Sequence, residues 1–252
     1  MWLDRPAGGH RAGRFPDAPP GFVAGFTTRE IVSDRAGVTE VPRALARSLG
    51  IPEAEVIRLS QVHGRDVLEA TGVAEPGGDR LLGAADAVIS RANGRLLTVF
   101  TADCVPILLA DPKTGWMAAV HAGWRGTALQ IVDAVLDQLA LRGVAASSLY
   151  ALFGPSISGP SYEVGPEVVG ALRAAFHDRD LPRGAVLPGR EDRYHVDLAF
   201  LNEALLLERG VRPARISRAV HCTASESNLF PSYRRDGPGT GRIATGIART
   251  RP

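Results

Sequence analysis

The chain has 252 residues, is 45% hydrophobic, and carries a formal net charge of +2 from 29 Lys plus Arg against 27 Asp plus Glu. That length buries one large core, and so small an excess of scattered cations excludes the basic stripe of a nucleic-acid binder. Two cysteines exclude a disulfide framework. The N-terminal MWLDRPAGGHRAGRF lacks the apolar core of a secretory signal, and no run nears the roughly 20 apolar residues of a spanning helix. The expectation is a cytoplasmic protein with no membrane partner.

In chain order, residues 1–20 are rich in Gly, Pro and Arg and read as a loose or edge-packed arm before a domain spanning 21–252. Gly21 to Glu30 alternates as a first strand ending near Arg29. Val41 to Ile51 predicts a short amphipathic helix closed by Gly50. Ile57 to Gly64 is a strand running into a turn with His63 at its tip, DVLEA is its partner, and Thr71 to Arg80 is a loop by composition. Ala85 to Arg91 gives a further strand with Asp86 at its start. The organising stretch is Leu97 to Gly126. Leu97 to Phe100 with Val105 to Ala110 forms one apolar run, interrupted by Cys104. Trp116 to Val120 forms the other, closed by His121, and the turn DPKTG joins the two.

GWRGTALQIVDAVLDQLALRG then predicts one helix, capped at Thr127, with Leu129, Val132, Val135, Leu136 and Leu139 on its apolar face and Gly143 as its stop. Strands are predicted at Leu149 to Phe153, as a short piece at the start of RYHVDLAFLNEALLLERGV, through ARISRAVHCT, and at Arg242 to Ala248. Helices are predicted from Pro166 to about Phe176 and in the stretch ended by Gly210. Strands and helices alternate without a regular βαβ beat, so the fold class is α+β with mixed sheets and outer helices. GPGTGR precedes a strand rather than a helix, which rules out a dinucleotide or P-loop fingerprint.

Three chemically active side chains fall at the ends of apolar runs: His63, Cys104 and His121. A His-Cys-His set with no fourth protein ligand is the donor set of a catalytic zinc, whose open position takes water or substrate. The metal-free alternative pairs a Cys104 thiolate with His121 as a nucleophile in acyl transfer. Cys222 ranks lower, because His221 and Cys222 in adjacent strand positions point to opposite faces. His10, His177 and His195 read as surface residues.

SQVHG, TADCVPILLAD, HAGWRG, GPSISGPSYEVG and SYRRDG with TGR resemble the bacterial laccase-domain family. These multicopper polyphenol oxidase-like proteins are regarded as purine nucleoside phosphorylases and are also called peptidoglycan editing factors. The resemblance runs from about Gly25 to Gly246. It implies a single domain of two mixed sheets sandwiched between helical layers, in α-β-β-α order. It also implies zinc held by His63, Cys104 and His121, with phosphorolysis of adenosine, inosine and guanosine. Methylthioadenosine phosphorolysis and adenosine deamination belong to the same family picture. The fold is similar to that of a deamidating toxin with a Cys-His pair, so a Cys-His amidase acting on peptidoglycan precursors stays as the alternative reading, beside a copper-dependent polyphenol oxidase.

Within the matched motifs, Arg29, Arg125, Arg234 and Arg235 are candidate phosphate holders, since guanidinium grips phosphate in a bidentate way. Arg125 is equally well read as a structural ion-pair partner. Tyr162 or Phe230 is the candidate for stacking on the base. Asp103, beside the ligand cysteine, either orients a histidine or serves as acid and base. The chain departs from relatives in the short segment after TTR (EIVSDRAGVTE), and in Ser156 and Ser161 where many relatives carry cysteine, which removes soft ligands from any copper cluster.

Overall fold

The computed structural model describes residues 3–4, 12–31, 40–176 and 181–250. His10, His177 and most of the segment after TTR lie outside them. In chain order the first strands are β1 (Leu3–Asp4), β2 (Ala12–Arg14) and β3 (Phe22–Thr27), followed by helix α1 (Glu40–Ser48). Then come β4 (Glu55–Ser60), β5 (Val67–Glu69), β6 (Asp79–Ala84), β7 (Ala87–Ser90), β8 (Arg95–Thr101), β9 (Val105–Ala110) and β10 (Met117–Ala122). Helices α2 (Trp124–Ala128) and α3 (Ile131–Ala140) lead to β11 (Tyr150–Phe153), β12 (Glu163–Val164) and α4 (Pro166–Phe176). The chain closes with β13 (Val186–Pro188), β14 (Tyr194–Val196), α5 (Leu198–Glu208), β15 (Ile216–Arg218), α6 (Tyr233–Asp236) and β16 (Ile243–Arg249).

Two mixed sheets carry the fold. One has the order β1-β2-β3-β16-β8-β4-β6 and the other β15-β11-β9-β10-β7-β5. Pleating sends successive side chains to opposite faces, and here that alternation separates the layers. Leu108 and Ala110 of β9 face the first sheet and pack with Leu97, Val99 and Ile247. Ile107 and Leu109 of the same strand face outward onto Val132, Val135 and Leu139 of α3 and Leu201 and Leu205 of α5. On the far side, Val41 and Leu45 of α1 cover Val56, Leu96 and Ala244 of the first sheet. The result is the α-β-β-α layering, with each fully buried large apolar side chain contributing about 1.5–3 kcal/mol.

Several local features differ from the sequence reading. The helix read across residues 123–143 breaks in two, because Gln130 takes a left-handed backbone (φ 59°). Its side chain there donates to the Ala175 carbonyl at 2.6 Å, anchoring the break on α4. Leu129, placed on the apolar face by spacing, is therefore 45% exposed. Thr127 is no cap: it is fully buried and its hydroxyl accepts from Asn202 at 2.9 Å. The loop read to Arg80 ends earlier, where β6 pairs in parallel with β4. Beyond β15, the run to Cys222 keeps only an isolated bridge, Ser156 with Cys222. A third sheet, β12-β14-β13, has strands of two or three residues: β14 is the short strand expected at the start of RYHVDLAF, whereas β12 and β13 are too short to leave a periodic trace. His195 lies in it, half-buried, rather than on the surface. At the other end of the chain, Ala12–Arg14 pairs with β3, so this part of the arm is packed on the sheet edge.

The central stretch is not one continuous ribbon. β9 and β10 do form an antiparallel hairpin through DPKTG. Asp111 closes that turn by accepting from the Lys113 and Thr114 amides, with Gly115 at φ 81°. β8, however, belongs to the other sheet. Residues Ala102, Asp103 and Cys104 carry the chain from one sheet to the other, and Asp103 turns it with φ 95°. The crossing places Cys104 where both sheets end.

Candidate metal centre and substrate cavity

Three strand ends deliver the cluster. His63 follows β4, Cys104 precedes β9, and His121 lies in β10 next to its end. One ligand atom from each lies within 4.8 Å of the others, and the two imidazole rings meet edge to face at 4.8 Å between centroids. His121 is buried and His63 is exposed, so the cluster has a protein side and an open side.

The backbone is shaped around this cluster. His63 holds a left-handed conformation (φ 60°), a strain of order 1–3 kcal/mol for a non-glycine residue. The buried Asp86 compensates it by accepting from the His63 and Gly64 amides at 3.0 and 2.6 Å. The same carboxylate meets His121 Nδ1 at 2.7 Å. With Nδ1 engaged, Nε2 is the ring atom left for a ligand or a proton. Gly123 leaves room: a Cβ there would stand 2.9 Å from Cys104 Sγ and 3.3 Å from His63 Cδ2.

The electrostatics follow from these contacts. Burial raises the Cys104 thiol, but hydrogen bonds from His121 and His63 outweigh it and hold the thiol at about 6. Burial lowers His121, while the Asp86 and Cys104 partners pull it up to about 9. Asp86 stays below its ordinary value despite burial, through His121 and the Gly64 amide. In the metal-free protein the pair is therefore a thiolate beside an imidazolium, the charge state that a thiolate nucleophile or an incoming cation requires. Two imidazoles and a thiolate around a space that a Cβ would fill fit one soft-to-borderline metal ion.

The cluster opens onto a cavity of about 700 Å³. One wall comes from Leu59, Phe100 and Thr101 of the seven-stranded sheet with Arg242 just before β16, and the other from His121 in β10 with Trp124 and Arg125 beyond it. Tyr162, from the loop before β12, and Tyr233 and Arg234, which open α6, close the third side. Arg125 stacks over Trp124 at 4.3 Å and, among the described residues, pairs with no carboxylate, unlike its ion-pair reading. Arg234 stacks over Tyr162 at 4.9 Å. Burial and the nearby Cys104 charge push the Tyr162 phenol up to about 12, so it remains a proton donor at neutral pH.

A family model described as multi-copper polyphenol oxidoreductase laccase matches residues 23–250. The chain belongs to this laccase-like family. A relative from Deinococcus radiodurans, named purine nucleoside phosphorylase, is 38% identical over 88% of the chain and 81% of its own length. Another, named adenosine deaminase RL5 and from an unknown prokaryotic organism, is 35% identical over 86% of the chain and 83% of its own. The crystal structure of YlmD from Geobacillus stearothermophilus superposes with a TM-score of 0.81 at 32% identity, covering 99% of both chains. Among the described residues no helix is long and apolar enough to cross a membrane.

The other residues singled out from this laccase-like sequence are distributed unevenly. Arg29 is bound to Asp236 at 2.6 Å and lines a different cavity, with Pro238 to Gly241. Arg235 points inward and holds the Thr223, Ala224 and Phe230 carbonyls. Phe230 is fully buried between the sheets, away from the cavity. Asp103 lines the cavity but orients neither histidine: one oxygen accepts from Thr223 Oγ1 and the other from the Arg234 amide, both at 2.6 Å. The acid that meets a histidine of the cluster is Asp86, which the sequence marks only as the start of a strand. Cys222 faces Ser158 and Ser161, while His221 pairs with Glu226, so neither joins the cluster. Trp124 and Arg242 were visible within GWRG and TGR, but nothing in those strings marks them as cavity walls.

Proposed function

We propose that the chain is a zinc-dependent purine nucleoside phosphorylase, converting adenosine, inosine or guanosine and phosphate to free base and ribose 1-phosphate. The observation that carries the reading is the opening of the His63, Cys104 and His121 cluster onto a cavity that also holds Arg125, Arg234 and Tyr162. The names borne by relatives support the same reaction class. Methylthioadenosine phosphorolysis and deamination of adenosine at C6 fall within the proposal, the latter in line with the relative named adenosine deaminase. Phosphate and nucleosides as substrates place the chain in the cytoplasm in this reading.

Each part of the cavity answers one chemical need. Arg125 and Arg234 offer planar donor forks to the phosphate oxygens. Each oxygen of Asp103, the acid that lines the cavity, already accepts a hydrogen bond from within the protein, which weakens its pull on those guanidinium groups. Trp124 and Phe100 give the purine apolar walls, and the protonated Tyr162 supplies a hydrogen bond to oxygen or nitrogen lone pairs. His63, Cys104 and His121 would hold the zinc, which when bound polarises phosphate or lowers the pKa of water to about 7.

A second reading has its own observation. Cys104, His121 and Asp86 stand in the order nucleophile, base and orienting acid, with His121 Nδ1 at 2.7 Å from Asp86, which is the arrangement a Cys-His amidase needs. The polyphenol oxidase reading is weaker, because a single three-ligand cluster is found among the described residues and a multicopper relay needs more ligands than that.

The test is incubation with inosine in phosphate-containing and phosphate-free buffer, using protein stripped of metal and protein reloaded with zinc. The proposal expects hypoxanthine only where phosphate and zinc are both present. Turnover of amide substrates by the stripped protein, without nucleoside cleavage by the loaded one, would favour the second reading.

A further inference from the structure

The buried carboxylate of Asp86 receives four donors, two on each oxygen. Oδ1 accepts from His121 Nδ1 at 2.7 Å and from the His63 amide at 3.0 Å. Oδ2 accepts from the Gly64 amide at 2.6 Å and the Val62 amide at 3.2 Å. The main chain repeats the link, since the His121 amide donates to the Asp86 carbonyl at 2.7 Å. His63 and His121 come from different sheets, following β4 and within β10. Asp86, one residue before β7, touches both.

From this convergence we infer that Asp86 is the positioning residue of the metal centre. It holds the His63 turn in its left-handed form and fixes His121 with Nε2 free, so that the two nitrogen ligands are placed by one side chain. The inference rests on reading His63, Cys104 and His121 as metal ligands, and it assigns Asp86 no contact with substrate.

Asp86→Asn is the informative change. An amide has only one acceptor oxygen, so either orientation turns an NH2 group toward two of the four donors. One orientation confronts Val62 and Gly64 and loosens the His63 turn. The other confronts His63 and His121 and releases the ring. Asn is nearly isosteric with Asp, so the pleat and the packing of β7 stay filled.

The experiment measures zinc affinity by chelator competition on wild-type protein, Asp86→Asn and Asp86→Ala, with folding followed by circular dichroism. Cobalt-substituted samples report the ligand field. Amide hydrogen exchange follows residues 62–64. The expected result is one zinc per wild-type chain, zinc binding weakened about 10–100-fold in folded Asp86→Asn, an altered cobalt spectrum, and faster exchange at Val62 to Gly64. Wild-type affinity and spectrum in Asp86→Asn would overturn the inference while leaving the metal site standing. Absence of zinc binding by the wild type would overturn both. If Asp86→Ala fails to fold, Asp86→Asn decides alone.

Discussion

The main-chain amide of Arg234 donates to Asp103 Oδ2 at 2.6 Å, while its guanidinium lies 4.9 Å over the ring of Tyr162. One residue therefore ties α6 to the sheet crossing with its backbone and presents its charge to the cavity with its side chain. The two roles are separable by mutation.

Arg234→Ala removes the guanidinium, with one exposed bond to the Glu163 carbonyl at 2.6 Å, and keeps the backbone bond to Asp103. It is expected to raise the KM for phosphate by about 10-fold or more, as a charge-assisted contact of about 1.5–3 kcal/mol is lost, with Tm nearly unchanged. Arg235→Ala should do the reverse, lowering Tm by freeing three loop carbonyls while the phosphate KM holds. Equal effects of the two variants on KM would contradict the placement.

Gly123 has an ordinary extended backbone (φ −77°, ψ 177°), so Gly123→Ala costs no backbone strain. Its Cβ would instead press on Cys104 Sγ and His63. A displacement of the reacting groups by a few tenths of an ångström to 1 Å should cut kcat/KM by up to about 100-fold, with Tm shifting by less than about 4 °C. Steady-state kinetics beside a thermal melt check this, and full activity in the variant would show that the space is not needed.

In metal-free protein, Cys104 should alkylate as a thiol of low pKa. Its depressed value means the thiolate appears as pH rises through about 6, so the rate climbs there and then levels off. An ordinary thiol keeps gaining up to and beyond about pH 8.5. Cys222 is also held near 6, burial being outweighed by hydrogen bonds from Ser158 and its neighbours. The labelled peptides must therefore be read separately by mass spectrometry. Zinc should protect Cys104 and leave Cys222 reactive. Equal protection of both thiols, or a Cys104 rate still rising at about pH 8.5, would count against the cluster.

Stability has a separate centre. Arg95 is fully buried, with Nε 2.7 Å from Glu55 and further bonds to the Thr71 and Gly72 carbonyls. Glu55→Ala leaves that cation without its counter-charge, a loss of about 3–5 kcal/mol. At roughly 2–4 °C per kcal/mol for a chain of this size, Tm should fall by about 6–20 °C. A calorimetric scan showing a drop under about 2 °C would mean the pair contributes little.

The cluster was legible because each of its three residues lies at the end of an apolar run that must turn, and a turn at a strand end exposes its side chain. Asp86 was not, because its significance lies in amide donors more than twenty positions away, which no local pattern encodes. Arg234 and Arg235 are adjacent and chemically identical, and only their tertiary partners, Tyr162 and the Glu163 carbonyl for one and three loop carbonyls for the other, decide which guanidinium reaches the cavity. The break at Gln130 escaped because Leu129 continues the helical spacing and the left-handed turn uses a residue with no turn signature. β6 escaped because DRLLGA buries neither face fully, so it lacks the alternation of a half-buried strand. The layered core, by contrast, follows directly from apolar runs such as VPILLA, which has water on neither face.

The central claim is tested most directly by phosphorus NMR of one reaction, inorganic phosphate with inosine, using zinc-loaded wild type and Cys104→Ala. The account predicts that the wild type converts the phosphate signal to ribose 1-phosphate while Cys104→Ala does not. An unchanged phosphate signal with the zinc-loaded wild type, or equal conversion by Cys104→Ala, would contradict it.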